Sequence, residues 1–236
     1  MNDPDLIALW LTLRLAGATT LVLLFLGTPL AWWLSQTSFE RKNRRGSNIL
    51  QNILEPLVAL PLVLPPTVVG FYLLLAFSPD SLPGALWQSV TGTNLAFSFY
   101  GLVLGSTIYS LPFYVQPLQV AFNSLEEELV EAAATLGASA FDRFFSLIVP
   151  LCRRGFLIAI CLSFAHTVGE FGIVLMIGGN LPDETRVLSI ALFDHVEALE
   201  YERAHLLAGG LLIFSFSTLF ILYAVDRRWQ SSTRLR

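Results

Sequence analysis

SLEEELVEAAATLGASAFDRFFSLIVP, residues 124–150, is charged and alanine-rich, and it lies between two long apolar runs. Ser124 followed by Glu127 reads as a capping box, and Glu126, Glu127 and Glu128 fill the first turn, where the helix dipole favours negative charge. Leu125, Leu129, Ala132, Ala133 and Leu136 recur at helical spacing and form one apolar face. Gly137 stands where a helix ends in a left-handed residue. The pattern predicts a helix of about three turns, over residues 124–138. Ala132, Ala133 and Ala134 would let a partner surface come close, and Phe141, Phe144 and Phe145 are expected at a membrane interface. Two readings of this helix fit the residues: a contact point for another protein on the water side, or a solvated connector between two spans.

The rest of the chain supplies the membrane. Of its 236 residues, 54% are hydrophobic and 14% charged, where a soluble domain carries about 25% charged residues. The apolar residues fall in blocks of roughly 20, enough to cross a hydrocarbon core as helices. The fold class expected is all-α: a polytopic transmembrane helical bundle, a single domain over residues 1–236 with about five spans, at residues 12–34, 50–77, 99–122, 152–178 and 205–225. The acidic start, MNDPDLIALW, lacks the basic region of a cleaved signal peptide. Pro56, Pro61, Pro65 and Pro66 require the second span to be bent or broken, which a bilayer tolerates only where protein or a water-filled cavity covers the break. Cys152 and Cys161, nine residues apart in one apolar run, would lie about 13 Å apart along a helix axis, too far for a disulfide. They read as small packing residues.

Charge orients the spans. Arg41, Lys42, Arg44 and Arg45 follow the first; Arg143, Arg153 and Arg154 precede or open the fourth; Arg227, Arg228, Arg234 and Arg236 close the chain. These are eleven of the fourteen basic residues. The positive-inside rule then puts the N-terminus outside, the C-terminus in the cytoplasm, and the loops at residues 78–97 and 179–204 outside.

EAAATLG followed after a gap by LIVP resembles the EAA loop of ABC importer permeases: Glu-Ala-Ala, three residues, Gly, nine residues, then Ile-x-Leu-Pro. Glu131, Ala132, Ala133, Gly137 and Pro150 match in spacing, with Leu147 and Val149 as conservative replacements. LPLVLPPTVVGFYLLL (residues 60–75) and GEFGIVLMIGGNLPDETRVLSIALFDHVE (residues 169–197) are similar to permeases of molybdate importers, and sulfate permeases share a similar GEFG segment. The resemblance implies the ABC importer permease fold and import of molybdate, with tungstate as near-isostere, by alternating access in a bacterial or archaeal cytoplasmic membrane. It implies a homodimer of permeases, a cytoplasmic ABC ATPase dimer carrying the ATP and magnesium, and an external molybdate-binding protein. Residues 124–138 would be the coupling helix that docks on the ATPase. The chain itself would be no enzyme and would hold no cofactor or metal, and its partners would include the lipid bilayer but no nucleic acid. Sulfate or thiosulfate import is the alternative.

Among single residues, Glu170 is a carboxylate within a span, a functional position by default. As a poor ligand for a dianion, it is expected to pair with a basic group or backbone donors at a gate or dimer seam. His166, one turn earlier, has the spacing to bond it. Thr67 beside the Pro65–Pro66 break is a pathway candidate, with a back-bonded helix threonine as the plain alternative. Gly70, Gly169 and Gly172 suit close helix approach. Asn180 ends the fourth span, as a capping turn or a contact for the binding protein. Glu55 reads as solvated, and Arg14 as a residue that snorkels outward or lines an anion path. An intramembrane enzyme using His166 and Glu170 is the rival of another class, but a third ligand and a nucleophile–base pair are not apparent. HEXXH and Walker A strings are absent from the sequence.

Overall fold

The computed structural model describes residues 4–43 and 49–233, and no strand occurs among them. Helix α1 (Pro4–Asn43) is followed by α2 (Ile49–Ala59), a 3-10 turn (Leu60–Leu62), α3 (Pro66–Phe77), α4 (Leu82–Thr91) and α5 (Phe99–Asn123). The polar segment holds α6 (Glu127–Thr135), α7 (Ala140–Asp142), a π-helical stretch (Arg143–Ile148) and α8 (Val149–Leu151). Then come α9 (Arg153–Gly169), α10 (Gly172–Gly178), α11 (Leu188–Glu197) and α12 (Tyr201–Thr233).

Among the described residues, two uninterrupted helices are long and apolar enough to cross a membrane, Pro4–Ser35 and Tyr201–Ala224. The second expected span is broken, as its prolines require: Pro66–Phe77 turns 113° away from Ile53–Leu62. It still joins the two ends of the bundle. Glu55 of α2 accepts a hydrogen bond from Gln119 near the end of α5, whereas the carbonyl of Phe77 accepts one from Ala96, just before α5 begins. The fourth expected span is also not continuous. Residues 170–171 separate α9 from α10, and α9 leaves the preceding Ala140–Leu151 segment at 75°.

The third span, α5, does not stand out by apolarity, and its place in the fold explains why. It packs between α1 and α9, and eleven of its residues are buried, among them Ser106, Thr107 and Ser110. A helix covered by protein need not present a hydrocarbon surface all round, so it can carry hydroxyls that a lipid-facing helix cannot. The outer helices carry the lipid-compatible surface instead: Phe25 and Leu26 on α1, and Leu212, Phe216 and Phe220 on α12, are exposed.

Two apolar clusters line this axis. One gathers Leu23 and Leu34 of α1, Tyr114, Leu118 and Phe122 of α5, Ile148, and Ala159 of α9. The other joins Leu15, Phe77 and Leu102 to Ile173, Val174 and Ile177 of α10 and Ile190 of α11. Tyr114 is fully buried, and its hydroxyl meets Thr28 at 2.9 Å. Tyr114→Ala should therefore cost about 3–5 kcal/mol, in line with large-to-small aromatic truncations in cores. Thermal unfolding of the detergent-solubilised chain measures this; an unchanged midpoint would remove Tyr114 from the core that joins α1 to α5.

Candidate functional site

The polar segment is held at both ends and exposed between them. Ser124 does not cap α6, contrary to the capping-box expectation. It is the C-terminal cap of α5, and its hydroxyl donates to the Ala121 carbonyl at 2.7 Å. The Glu127 side chain lies outside the described residues, and Glu126 is the N-cap of α6, with no side-chain cap bond. The C-terminal expectation holds. Gly137 has φ +88°, Ala138 N–H donates to the Ala133 carbonyl and Gly137 N–H to the Ala134 carbonyl. Together these form a Schellman motif, whose left-handed residue glycine adopts without strain. Ser139 then caps the next turn by accepting from Asp142 N–H.

The chain widens into π geometry just before Pro150, where Val149 N–H reaches the Phe144 carbonyl. Proline has no N–H with which to continue an α-helical ladder, and a single widened turn is a common way to absorb the defect. Glu131, Ala132, Gly137 and Pro150 are exposed and Ala133 is half-buried. The apolar face is only partly folded inward. Leu125 and Val130 pack on the core, whereas Leu136 is 88% exposed, Phe141 74% and Phe145 53%. Phe144 is the anchor. Its ring meets Trp32 of α1 edge-on at 6.1 Å, and Trp32 meets Phe122 of α5 at 5.1 Å. Sequence reading grouped Phe144 with its interfacial neighbours and missed Trp32 altogether, because an aromatic joint between distant segments leaves no local pattern.

The two broken spans meet at their breaks. Pro65, exposed, caps α3, and Pro66 occupies the first helical position, where its fixed φ suits the helix and its missing N–H costs nothing. Gly172, the first residue of α10, lies so close that a Cβ there would come within 2.7 Å of the Pro66 ring. One at Gly70 would come within 2.8 Å of Met176. The close approach expected of Gly70 and Gly172 is thus present, whereas Gly169 faces open space. Thr67 is exposed on the second residue of α3, and no back-bonded hydrogen bond holds its hydroxyl.

Glu170 sits in the α9–α10 break, 5% exposed. Its carbonyl accepts from Ser189, but neither carboxyl oxygen has a hydrogen-bond partner among the described residues. Among the described residues it therefore lacks the expected basic or backbone partner, and Ser106 faces it without closing a hydrogen bond. His166 does not bond Glu170 either. Its Nδ1 lies 2.9 Å from Ser110 Oγ, which also meets Thr167, and its ring stacks on Phe113 at 3.8 Å. The histidine is engaged in a helix interface, so the pair required by the intramembrane-enzyme reading is not assembled. Asn180 is apart from this junction. It has φ +56° and donates to both Asp194 oxygens, beside the Arg186–Asp194 ion pair at 3.0 Å. It is a turn residue at the end of the bundle opposite α6 and not a neighbour of Thr67 or Glu170.

Residues 27–231 match the family described as the binding-protein-dependent transport system inner membrane component. The chain belongs to that transport family. It is 52% identical to the molybdenum transport system permease protein of Azotobacter vinelandii over 96% of each chain, and 32% identical to that of Escherichia coli over 84% of this chain and 82% of the relative. It is 31% identical to a probable sulfate transport system permease of Zygnema circumcarinatum, over 99% of this chain and 78% of the other. Among solved structures, a bacterial alginate ABC importer superposes with a TM-score of 0.66 at 16% identity, covering 98% of this chain and 80% of that one. The methionine ABC transporter does so at 0.65 and 17%, covering 95% and 99%. At those identities the likeness is one of fold.

In this permease the end opposite α6 is tied by ionic groups. His195 of α11, its side chain 8% exposed, contacts Asp5 of α1 through Nε2 at 3.0 Å and Glu200 through Nδ1 at 2.8 Å, with Arg203 beside Glu200. The Asp5 hydrogen bond, helped by Glu200 and by both charges, raises the His195 pKa despite an opposing contribution from burial. Arg14 lies over the Phe99 ring at 4.4 Å, at the same end.

Gly172→Ala should destabilise the permease by about 1–3 kcal/mol, the usual effect of overpacking, and lower its transport rate; wild-type stability and rate would show that the junction is loose. Because the folded His195 pKa is raised, the clasp's contribution is complete below the ordinary histidine value of 6.5 and is lost as pH rises through the folded value. The unfolding-midpoint gap between wild type and His195→Gln should accordingly shrink from pH 5.5 to about 8.5. A gap independent of pH would contradict a charged clasp.

Proposed function

We propose that the chain is the membrane permease of an ATP-driven importer of molybdate, with tungstate as near-isostere. The observation that carries this reading is the exposed, glycine-terminated α6 in a chain half-identical, over nearly its whole length, to a molybdenum permease. The chain performs no bond chemistry; ATP and magnesium belong to a separate ATPase. Two copies would share a two-fold axis, each presenting the same face to the pathway. An ATPase dimer would take the two α6 surfaces, and an external binding protein would deliver the anion to the opposite end.

Charge supports the orientation. Among the described side chains Arg143, Arg153 and Arg154 lie at the end that carries α6 and Arg14, Arg186 and Arg203 at the other, so the orientation rests on the sequence count, in which eleven of the fourteen basic residues fall after the first span, around the start of the fourth or in the tail. The basic side chains at residues 41–45 and in the tail lie outside the described side chains. The positive-inside rule makes the α6 end cytoplasmic and the start of α1 external. ATP-driven closure of the ATPases would move α6, the Phe144–Trp32–Phe122 joint would pass that motion to α1 and α5, and the paired breaks near Pro66 and Gly172 would be where half-helices shift. Glu131, Ala132, Ala133, Gly137 and Pro150 are the coupling residues in this reading, and Thr67, Pro65, Pro66 and Glu170 belong to the gate.

Labelled molybdate uptake in cells lacking the chain, complemented with wild type or Gly137→Pro, tests the proposal. A proline cannot adopt φ +88°, so the variant should fold its spans, reach the membrane and lose uptake. Uptake restored by both proteins would refute coupling through α6. Loss of uptake under excess sulfate would assign the chain to sulfate, in keeping with its 31% identity to a sulfate permease.

A further inference from the structure

The first break leaves backbone groups without partners. Pro65 and Pro66 carry no N–H, so the carbonyls of Pro61 and Leu62 lose the donors that a continuous helix would bring them. Among the described residues, the carbonyls of Leu62, Val63 and Leu64 accept no backbone hydrogen bond, and the Thr67 N–H donates none. The break lies within the span, between the contact of Glu55 at the α6 end and that of Phe77 at the other. Helix α10 covers one side of it, where Gly172 meets Pro66 and Gly70 meets Met176. The other side is bare. Val63 is 82% exposed and Leu62 46%, and Pro65 and Thr67 are exposed with them.

We propose that this bare side is a contact between two copies of the chain, with the tips formed by residues 62–67 meeting across the two-fold axis. The inference rests on the homodimer proposed above and gives it a surface. Lipid is unsuited to cover the tip, because hydrocarbon pairs none of the freed backbone groups. Water would pair them but leave Val63 and Leu62 wet. A second copy meets both needs. An isologous contact requires a patch complementary to itself, and this tip is one. It carries unpaired acceptors at residues 62–64, unpaired donors in the Thr67 N–H and hydroxyl, and an apolar side chain at Val63. Thr67 of each copy would donate to carbonyls of the other while the two valines close on each other. An apolar constriction of this kind gates by expelling water, so the paired tips would be the closed point of the pathway.

Cysteine cross-linking in membranes that contain the whole transporter tests this, in a chain carrying Cys152→Ala and Cys161→Ala. A disulfide forms between Cα atoms roughly 4.4–6.8 Å apart. Under copper-catalysed oxidation, with and without ATP, Val63→Cys should convert most of the chain to a covalent dimer in at least one state. Phe25→Cys, on the exposed face of α1, should leave it monomeric. Adding Thr67→Val should lower the Val63→Cys yield, and adding Thr67→Ser, which keeps the hydroxyl, should preserve it. No Val63→Cys dimer in either state would overturn the proposal. So would a Val63→Cys thiol that reacts with a membrane-impermeant maleimide in both states instead of dimerising, the mark of a tip that lines a water-filled cavity. Native mass spectrometry of the transporter counts the copies of this chain. One copy would sink the homodimer reading itself, whereas two copies without a Val63 cross-link would sink this contact alone.

Discussion

Everything in this bundle depends on one constraint: a broken helix inside a bilayer must be covered by protein or line a water-filled cavity. The hydrocarbon offers no water to the backbone groups that a break frees, and each exposed one is costly. The chain breaks twice between its ends, before Pro66 and after Gly169, and places the two breaks against each other. The contact depends on residues without bulk and covers one side of the first break, since Val63, Pro65 and Thr67 stay exposed. Gly172 lets the Pro66 ring approach, and Gly70 lets α3 lie on Met176 and Ile173 of α10. The resulting pair of half-helices rests on α5, through Leu102 and Gly105 against α10. Two weak points thus become one packed unit, and a shift of either half-helix must involve the other.

That unit is separated along the bundle from the segment that faces water, and the connection between them is physical. Phe144 enters the cluster shared by α1, α5 and α9, so α6 cannot tilt without loading the Trp32 and Phe122 rings. Edge-to-face aromatic contacts of this kind contribute about 0.5–1.5 kcal/mol each beyond area burial, enough to bias a conformational equilibrium without locking it. The Schellman closure at Gly137 and the turn capped by Ser139 keep the exposed part rigid over a short length. The coupling role proposed for α6 requires that stiffness, because a fraying helix would dissipate a displacement.

Much of this was legible in the sequence where the signal was local. The polar helix, its glycine end and the break at the prolines are set by neighbouring residues; the glycine end and the break stand where they were expected, and the helix, expected over residues 124–138, runs over Glu127–Thr135. Local rules also misled. Ser124 and Glu127 have capping-box spacing, but the serine is held by the carbonyl of Ala121 as α5 ends, since a helix terminus with free acceptors competes for the same hydroxyl. His166 and Glu170 have helical spacing, yet Ser110 and Phe113, more than fifty residues earlier in the chain, take the imidazole. Partners that arrive from another helix cannot be read from i, i+4 arithmetic. The same holds for Trp32, for the interruption at residues 170–171 and for the clasp from Asp5 to His195.

The hydroxyl-bearing seam of α5 and α9 explains both the lower apolarity of the third span and its use. Ser110 meets His166 and Thr167, and Thr167 bonds back to Ser163. Side-chain hydrogen bonds between spans are worth about 0.6 kcal/mol on average, because the separated helices also find partners within the membrane. A seam of small hydroxyl residues is therefore weakly held per contact, compared with interlocked large apolar side chains whose truncation costs several kcal/mol. Hydroxyls also re-pair readily after a small slide or rotation, as they both donate and accept. The residues that make α5 look poorly apolar thus give the centre of the bundle an interface that can be exchanged between arrangements at low cost, while the apolar clusters at either end keep the helices from separating.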